Sequence, residues 1–112
     1  MKRGEIWLVN LDPTIGSEIK KTRPAVIISS DLVGILPLKI IVPFTDWKDR
    51  YDAAAWMVRI DPEHINGLSK SSASDALQVR SVSQQRLIKR LGALTPFQVA
   101  QIVQAVVNVL QR

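Results

Sequence analysis

Sustained helical periodicity occurs at one place in this chain, its C-terminal end. The residues before it form short apolar runs broken by turn signals. Thr95 fits an N-cap, Pro96 the first helical position, and Gln98 completes a T-x-x-Q capping box. Val99, Ile102, Val103, Val106, Val107 and Leu110 then recur at i, i+3, i+4 and i+7 as one apolar stripe. Upstream, Glu5–Leu11, Pro24–Ser30, Leu38–Phe44, Ala53–Ile60 and Asp75–Val82 read as strands. A short helical turn at SQQRL and a last strand, Ile88–Ala93, follow, while Asp61-Pro62 and Asn66-Gly67 mark turns. This spacing predicts a mostly-β (α+β) fold, a small barrel capped by one C-terminal helix, in a single domain over residues 1–112.

Of 112 residues 46% are hydrophobic, enough for a real core, although chains this short often dimerise. The absence of cysteine excludes disulfides and thiolate metal sites, and a lone histidine, His64 in the PEHING turn, cannot build a metal cluster. No seven-residue apolar run follows the basic residues of the start MKRGEIWL, as a signal peptide would need, and no segment approaches a membrane span, so a cytoplasmic protein is the default, with no membrane partner and no cofactor.

The net charge of +5 is placed unevenly. Residues 1–75 hold ten cations and all ten acids, whereas residues 76–112 hold Arg80, Arg86, Lys89, Arg90 and Arg112 and no acid. An excess confined to the last third points to a polyanionic partner, nucleic acid or an acidic protein segment, with plain solubility as the alternative. The helix face formed by Gln98, Gln101, Gln104, Asn108 and Gln111 is uncharged. It suits either a simple cover helix or contact with a partner.

Between the first two strands lies a polar loop, Asp12–Arg23, with Glu18, Lys20, Lys21, Thr22 and Arg23. Scaffold strands fix the ends of such a loop, which makes it a natural place for a site. Pro24 belongs at the first residue of a strand or on an edge, and it restrains the backbone of Arg23. Two readings stay open for Arg23: a cation set for a phosphate, or a rim arginine in a salt bridge. Glu18 is either an orienting or basic carboxylate or a solvated one. Thr45 closes the third strand, where its hydroxyl can hold a phosphate oxygen. Phe44, Trp47 and Tyr51 interleave with Lys48 and Arg50, either to stack unpaired bases or to pack the end of the barrel. Trp7 and Trp56 are assigned to the core, and Asp46, Asp49 and Asp52 to a solvated loop. What remains for such a set is a metal-free phosphate chemistry; RNA, for one, can be cleaved by its own 2′-hydroxyl where a base, an acid and cations for the phosphorane are supplied.

RGEIWLVNLDP, then GSE, TRPAVIIS and VPFT, resembles the MazF/PemK (Kid) family of toxin endoribonucleases of type II toxin–antitoxin systems, and LQVRSVSQQRL is similar to its Q-x-R-[ST] segment. The resemblance spans about Lys2 to Leu91, with the C-terminal helix falling where the family's does. It implies an SH3-like β-barrel of the PemK/CcdB type and a homodimer. The implied activity is metal-independent, sequence-specific cleavage of single-stranded RNA (mRNA) to a 2′,3′-cyclic phosphate and a 5′-hydroxyl. Arg23 and Thr45 match the catalytic pair and Glu18 a glutamate of the same loop. Lys20, Lys21, Trp47, Lys48, Gln78 and Arg80 are the RNA-binding candidates, Gln78 and Arg80 on the strand bordering the RNA groove. The acidic C-terminal segment of a cognate antitoxin is the implied partner, and any DNA contact would come only through it. The chain departs from relatives at Thr22, Ser17 and Leu77, the last standing where some carry an aspartate proposed as the base. Asp75, two positions earlier and facing the same side of a strand, is the substitute candidate. Two rival functions are a CcdB-like gyrase poison, whose Trp-Gly-Ile tail is not matched by NVLQR, and a non-catalytic RNA-binding relative.

Overall fold

The computed structural model describes residues 1–33 and 35–111, so Arg112, counted above among the basic residues, lies outside the described residues. Among the described residues seven strands and one α-helix follow in chain order: β1 (Glu5–Asn10), β2 (Thr22–Ile27), β3 (Leu38–Asp46), β4 (Met57–Ile60), β5 (Ser72–Asp75), β6 (Arg80–Ser83), β7 (Leu87–Ala93) and α1 (Pro96–Leu110). In space the strands run β4-β5-β3-β2-β1-β7, with β6 also paired to β3, and every pairing is antiparallel. The expected barrel is therefore a bent seven-strand sheet whose path ends at β4 and β7, and no ladder joins these two among the described residues. The turn after β4 closes the gap instead. Asn66 is buried and its amide oxygen accepts from the Glu63 and Leu68 amides at 3.1 and 3.0 Å, while its nitrogen donates to the Asp61 carbonyl at 2.9 Å. So organised, the turn presents the Ile65 carbonyl to the Ala93 amide of β7 at 2.9 Å.

β3 holds the sheet together. Its first half pairs with β6 (Leu38↔Ser83 to Ile41↔Arg80) and its last three residues with β5 (Phe44↔Ser74 to Asp46↔Ser72), while β2 lies along its other edge. Alternate residues of a strand face opposite sides, and here both sides are buried in part. Ile6, Val26, Val42 and Phe44 pack with Ile102 and Val106 of α1; Val9, Ala25, Ile27 and Ile41 pack with Val82 and Leu87.

Several boundaries differ from the sequence reading. β2 opens at Thr22, so Arg23 stands inside it rather than before it, and Pro24 is its third residue rather than its first. The strand expected over Asp75–Val82 is two strands parted by a 3₁₀ turn, Ala76–Gln78, because the Asp75 carboxylate accepts from the Leu77 amide at 3.1 Å and caps that turn. Asp75 and Leu77 thus do not share a strand face. β4 starts only at Met57, after a 3₁₀ turn at Asp49–Ala53, and Trp56 is left outside the core, 37% exposed, whereas Trp7 packs half-buried against the second cluster. The helix matches its expected start: Gln98 N–H donates to Thr95 Oγ1 at 3.2 Å and Thr95 N–H to Gln98 Oε1 at 3.0 Å. Its inner face is Val99, Ile102, Ala105 and Val106, and Leu110 is 76% exposed.

Glu5 ties the start of β1 to β7. Its Oε1 accepts from the Lys2 amide and the Trp7 indole at 2.9 and 3.0 Å, and Arg90 Nε lies 3.2 Å from Oε2. Burial works against ionisation, but these donors and the Arg90 charge outweigh it and hold the carboxyl at about 2 instead of 4.5. A depressed carboxylate stabilises the fold above its ordinary pKa, and the contribution is lost as pH falls from 4.5 through about 2. Allowing for partial exposure, it amounts to about 1–2 kcal/mol at neutral pH. Glu5→Gln is expected to lower stability by that amount at pH 7 and not at pH 2, measured by urea unfolding at both; equal losses at both would refute the linkage.

Candidate functional site

The site follows from a proline. On the β2–β3 ladder the Ile28 amide donates to the Ile40 carbonyl at 2.9 Å, and the register continues through Val26↔Val42 and Ala25↔Pro43. In an antiparallel pair every second rung exchanges two hydrogen bonds, and that alternation falls next on Pro24 and Phe44. Pro24 has no N–H, so this rung can carry at most one of its two bonds, and the ladder ends at Ala25. Beyond it no rung joins the two strands among the described residues, and a cleft opens at this fork of the ladder. Extending the register two steps past Ala25↔Pro43 sets Arg23 opposite Thr45.

Both residues line a cleft of about 160 Å³ in that fork, with Asp46, Ser69 and Lys70 along its wall. Arg23 is half-buried, and its Nε makes only a long contact, 3.4 Å, with the Lys20 carbonyl. Among the described residues its guanidinium forms no ion pair, so the rim salt bridge open to the sequence reading is not made. An arginine with unengaged donors beside a hydroxyl is suited to an oxyanion with several acceptor oxygens, such as a phosphate. Asp46, a loop acid by sequence, instead ends β3 and pairs with Lys70 Nζ at 3.2 Å in the cleft wall. Only the pairing of β3 with β5 brings the 69–72 segment to Thr45, a contact with no local sequence signal.

A second, wider cleft of about 480 Å³ is lined by Glu18, Ile19, Pro43, Leu77, Gln78 and Arg80 among others. Pro43 and Thr45 are alternate residues of β3 and face the same side, so the two clefts succeed one another along that strand. The larger has one wall from the β1–β2 loop and another from Leu77–Arg80. Glu18 Oε1 accepts from the Ile15 amide at 2.6 Å within its own loop. Gln78 and Arg80 are partly spent on the same loop: Gln78 bonds Ser17 and Ile19, and Arg80 Nη1 donates to the Leu11 carbonyl at 3.1 Å. Arg86 grips the loop root through the Asn10 carbonyl, at 3.1 Å, and the Asp12 carbonyl.

The remaining candidates line neither cleft. Lys20, Lys21 and Lys48 are exposed around them. Trp47 meets Tyr51 edge-on at 5.8 Å and carries the Arg59 guanidinium over its ring at 5.2 Å, so its surfaces are already largely engaged. Asp75 is buried and turned to its cap. Desolvation pushes its carboxyl above the usual range against the opposing Leu77 hydrogen bond. Leu77 itself is 63% exposed in the larger cleft.

Among the described residues no helix is long and apolar enough to cross a membrane. A family model described as PemK-like, MazF-like toxin of type II toxin-antitoxin system matches residues 2–110. Endoribonuclease MazF9 of Mycobacterium tuberculosis is 30% identical over 117 residues, covering 94% of this chain and 92% of that protein. The solved MazF of Deinococcus radiodurans superimposes with a TM-score of 0.81 at 22% identity, over 98% of this chain and 96% of that one. A mycobacterial endoribonuclease in complex with its cognate antitoxin gives 0.75 at 18%, over 98% and 94%. At those two identities the likeness is one of fold. The match over nearly the whole length, with the endoribonuclease relative, is one of family: the chain belongs to the PemK-like, MazF-like toxins of type II toxin–antitoxin systems.

Proposed function

We propose that this protein is an endoribonuclease toxin that cuts single-stranded RNA at short sequence motifs without a metal ion. The observation that carries the reading is the fork, where an arginine without an acidic partner among the described residues shares one cleft with a threonine. The RNA 2′-oxygen attacks the adjacent phosphorus while the bond to the 5′-oxygen breaks, leaving a 2′,3′-cyclic phosphate and a 5′-hydroxyl. Arg23 neutralises the phosphorane and hands a proton to the departing 5′-oxygen, and Thr45 holds a non-bridging oxygen. Glu18, in the neighbouring cleft, takes the 2′-hydroxyl proton. The larger cleft and the exposed lysines carry the flanking nucleotides. The acidic C-terminal segment of a cognate antitoxin would occupy the same groove, in keeping with the basic final third; the named antitoxin complex of a structural neighbour supports such a partner. The exposed apolar residues Leu36, Leu38 and Ile40, together on one surface, support a homodimer, acting in the cytoplasm.

Incubating the purified protein with a long mRNA in EDTA and mapping the ends tests this. Cuts at discrete sites with 5′-hydroxyl termini are expected; RNA that stays intact with and without EDTA would refute the enzymatic reading.

A further inference from the structure

The β1–β2 loop is held in two places of different character. Its root is fixed by Arg80 and Arg86 and by Asp12 Oδ1, which accepts from the Lys21 amide at 3.0 Å across the neck. Its tip, Ser17–Ile19, has only two hydrogen bonds to the rest of the molecule among the described residues, and both go to Gln78. The Ile19 amide donates to Gln78 Oε1 at 3.0 Å and Gln78 Nε2 donates to the Ser17 carbonyl at 2.9 Å. The two groups flank Glu18, so one carboxamide serves as a strand neighbour would, with a donor and an acceptor, and pins the carboxylate between its own bonds. These bonds bridge the two walls of the larger cleft.

We propose that Gln78 is a positioning residue, a side-chain latch that holds the loop tip against the 3₁₀ turn and sets the width of the larger cleft. Arg23 and Thr45 stand on sheet strands, outside its reach. Loss of the latch frees the loop tip and the Glu18 carboxylate it carries, and leaves Arg23 and Thr45 in place.

Lys20 and Lys21 follow the tip directly and are exposed, so trypsin reads the latch without RNA; the Arg23–Pro24 bond is not a trypsin site. In Gln78→Ala, cleavage after Lys20 and Lys21, followed by mass spectrometry, is expected to rise about tenfold, the scale of two lost hydrogen bonds. Cleavage after Lys48 and Lys70 should not change. Gln78→Glu keeps the acceptor for the Ile19 amide and loses the donor to Ser17, and about a threefold rise is expected. Should the alanine variant fail to fold, this isosteric one decides. Unchanged loop cleavage, or an equal rise at every site, would overturn the latch. A second arm rests on the endoribonuclease reading. With an RNA oligomer carrying a mapped site, Gln78→Ala should lower kcat/KM about tenfold, since the larger cleft and Glu18 are loosened together with the tip. An unchanged kcat/KM would overturn the role. If the parent protein cuts no RNA, that reading fails and the trypsin result still judges the latch.

Discussion

Arg23→Ala is expected to lower single-turnover cleavage of an RNA oligomer with a mapped site by about a thousandfold or more, at an almost unchanged thermal midpoint. Removing one donor from a preorganised oxyanion site costs about 10²–10³ in rate, and here the lost group is also the proton donor to the leaving oxygen. Stability should hardly respond, since the guanidinium makes a single long contact, to Lys20, and no ion pair among the described residues. Arg23→Lys keeps the charge and loses the two-pronged geometry, so an intermediate loss of about a hundredfold is expected. Full cleavage by the alanine variant would remove Arg23 from the mechanism.

The largest effect on stability is expected at the seam between the turn after β4 and β7. A Cβ on Gly92 would stand 2.3 Å from the Ile65 carbonyl oxygen and 2.5 Å from the Asn66 carbonyl carbon. Across the seam, a Cβ on Gly67, at φ +68°, would stand 2.1 Å from the Leu91 carbonyl oxygen. These neighbours are backbone, held by the Asn66 side chain and by the Ala93–Ile65 bond, and cannot step aside as a side-chain tip would. Gly92→Ala should therefore cost about 3 kcal/mol or more, at the upper end of overpacking, and lower the midpoint by about 10–15 °C. Gly16 in the β1–β2 loop provides the contrast: its φ is +59° and a Cβ there would meet nothing within 4 Å, so alanine carries backbone strain alone, about 1–2 kcal/mol. Calorimetry on the two variants separates the cases; equal shifts would show that the seam does not close the sheet.

The elements most legible in the sequence are those whose signals are local. The T-P-F-Q start of α1 carries its own capping box, and the short β-branched runs locate most strands of the sheet to within a few residues. What could not be read depends on partners far along the chain. The break between β5 and β6 needs Asp75 to turn back onto Leu77, and in a string of plausible strand residues that cap has no pattern of its own. Asp46 is one of three similar loop acids until pairing with β5 places it in the cleft wall beside Lys70. That Arg23 and Thr45 share one cleft follows from the register of β2 against β3, which neither residue's own neighbourhood announces. Gln78 and Arg80, RNA-contact candidates by sequence, also hold a loop some sixty residues earlier in the chain.

Pro24 sits where most sheets would add one more rung. With an ordinary residue there, the zipper of backbone bonds could run on toward Arg23 and Thr45 and draw those two strands to the usual spacing of about 5 Å. The proline is a permanent stop on that zipper. The protein gives up part of a rung of sheet and keeps, between two strands that would otherwise close, a gap that no thermal fluctuation has to open.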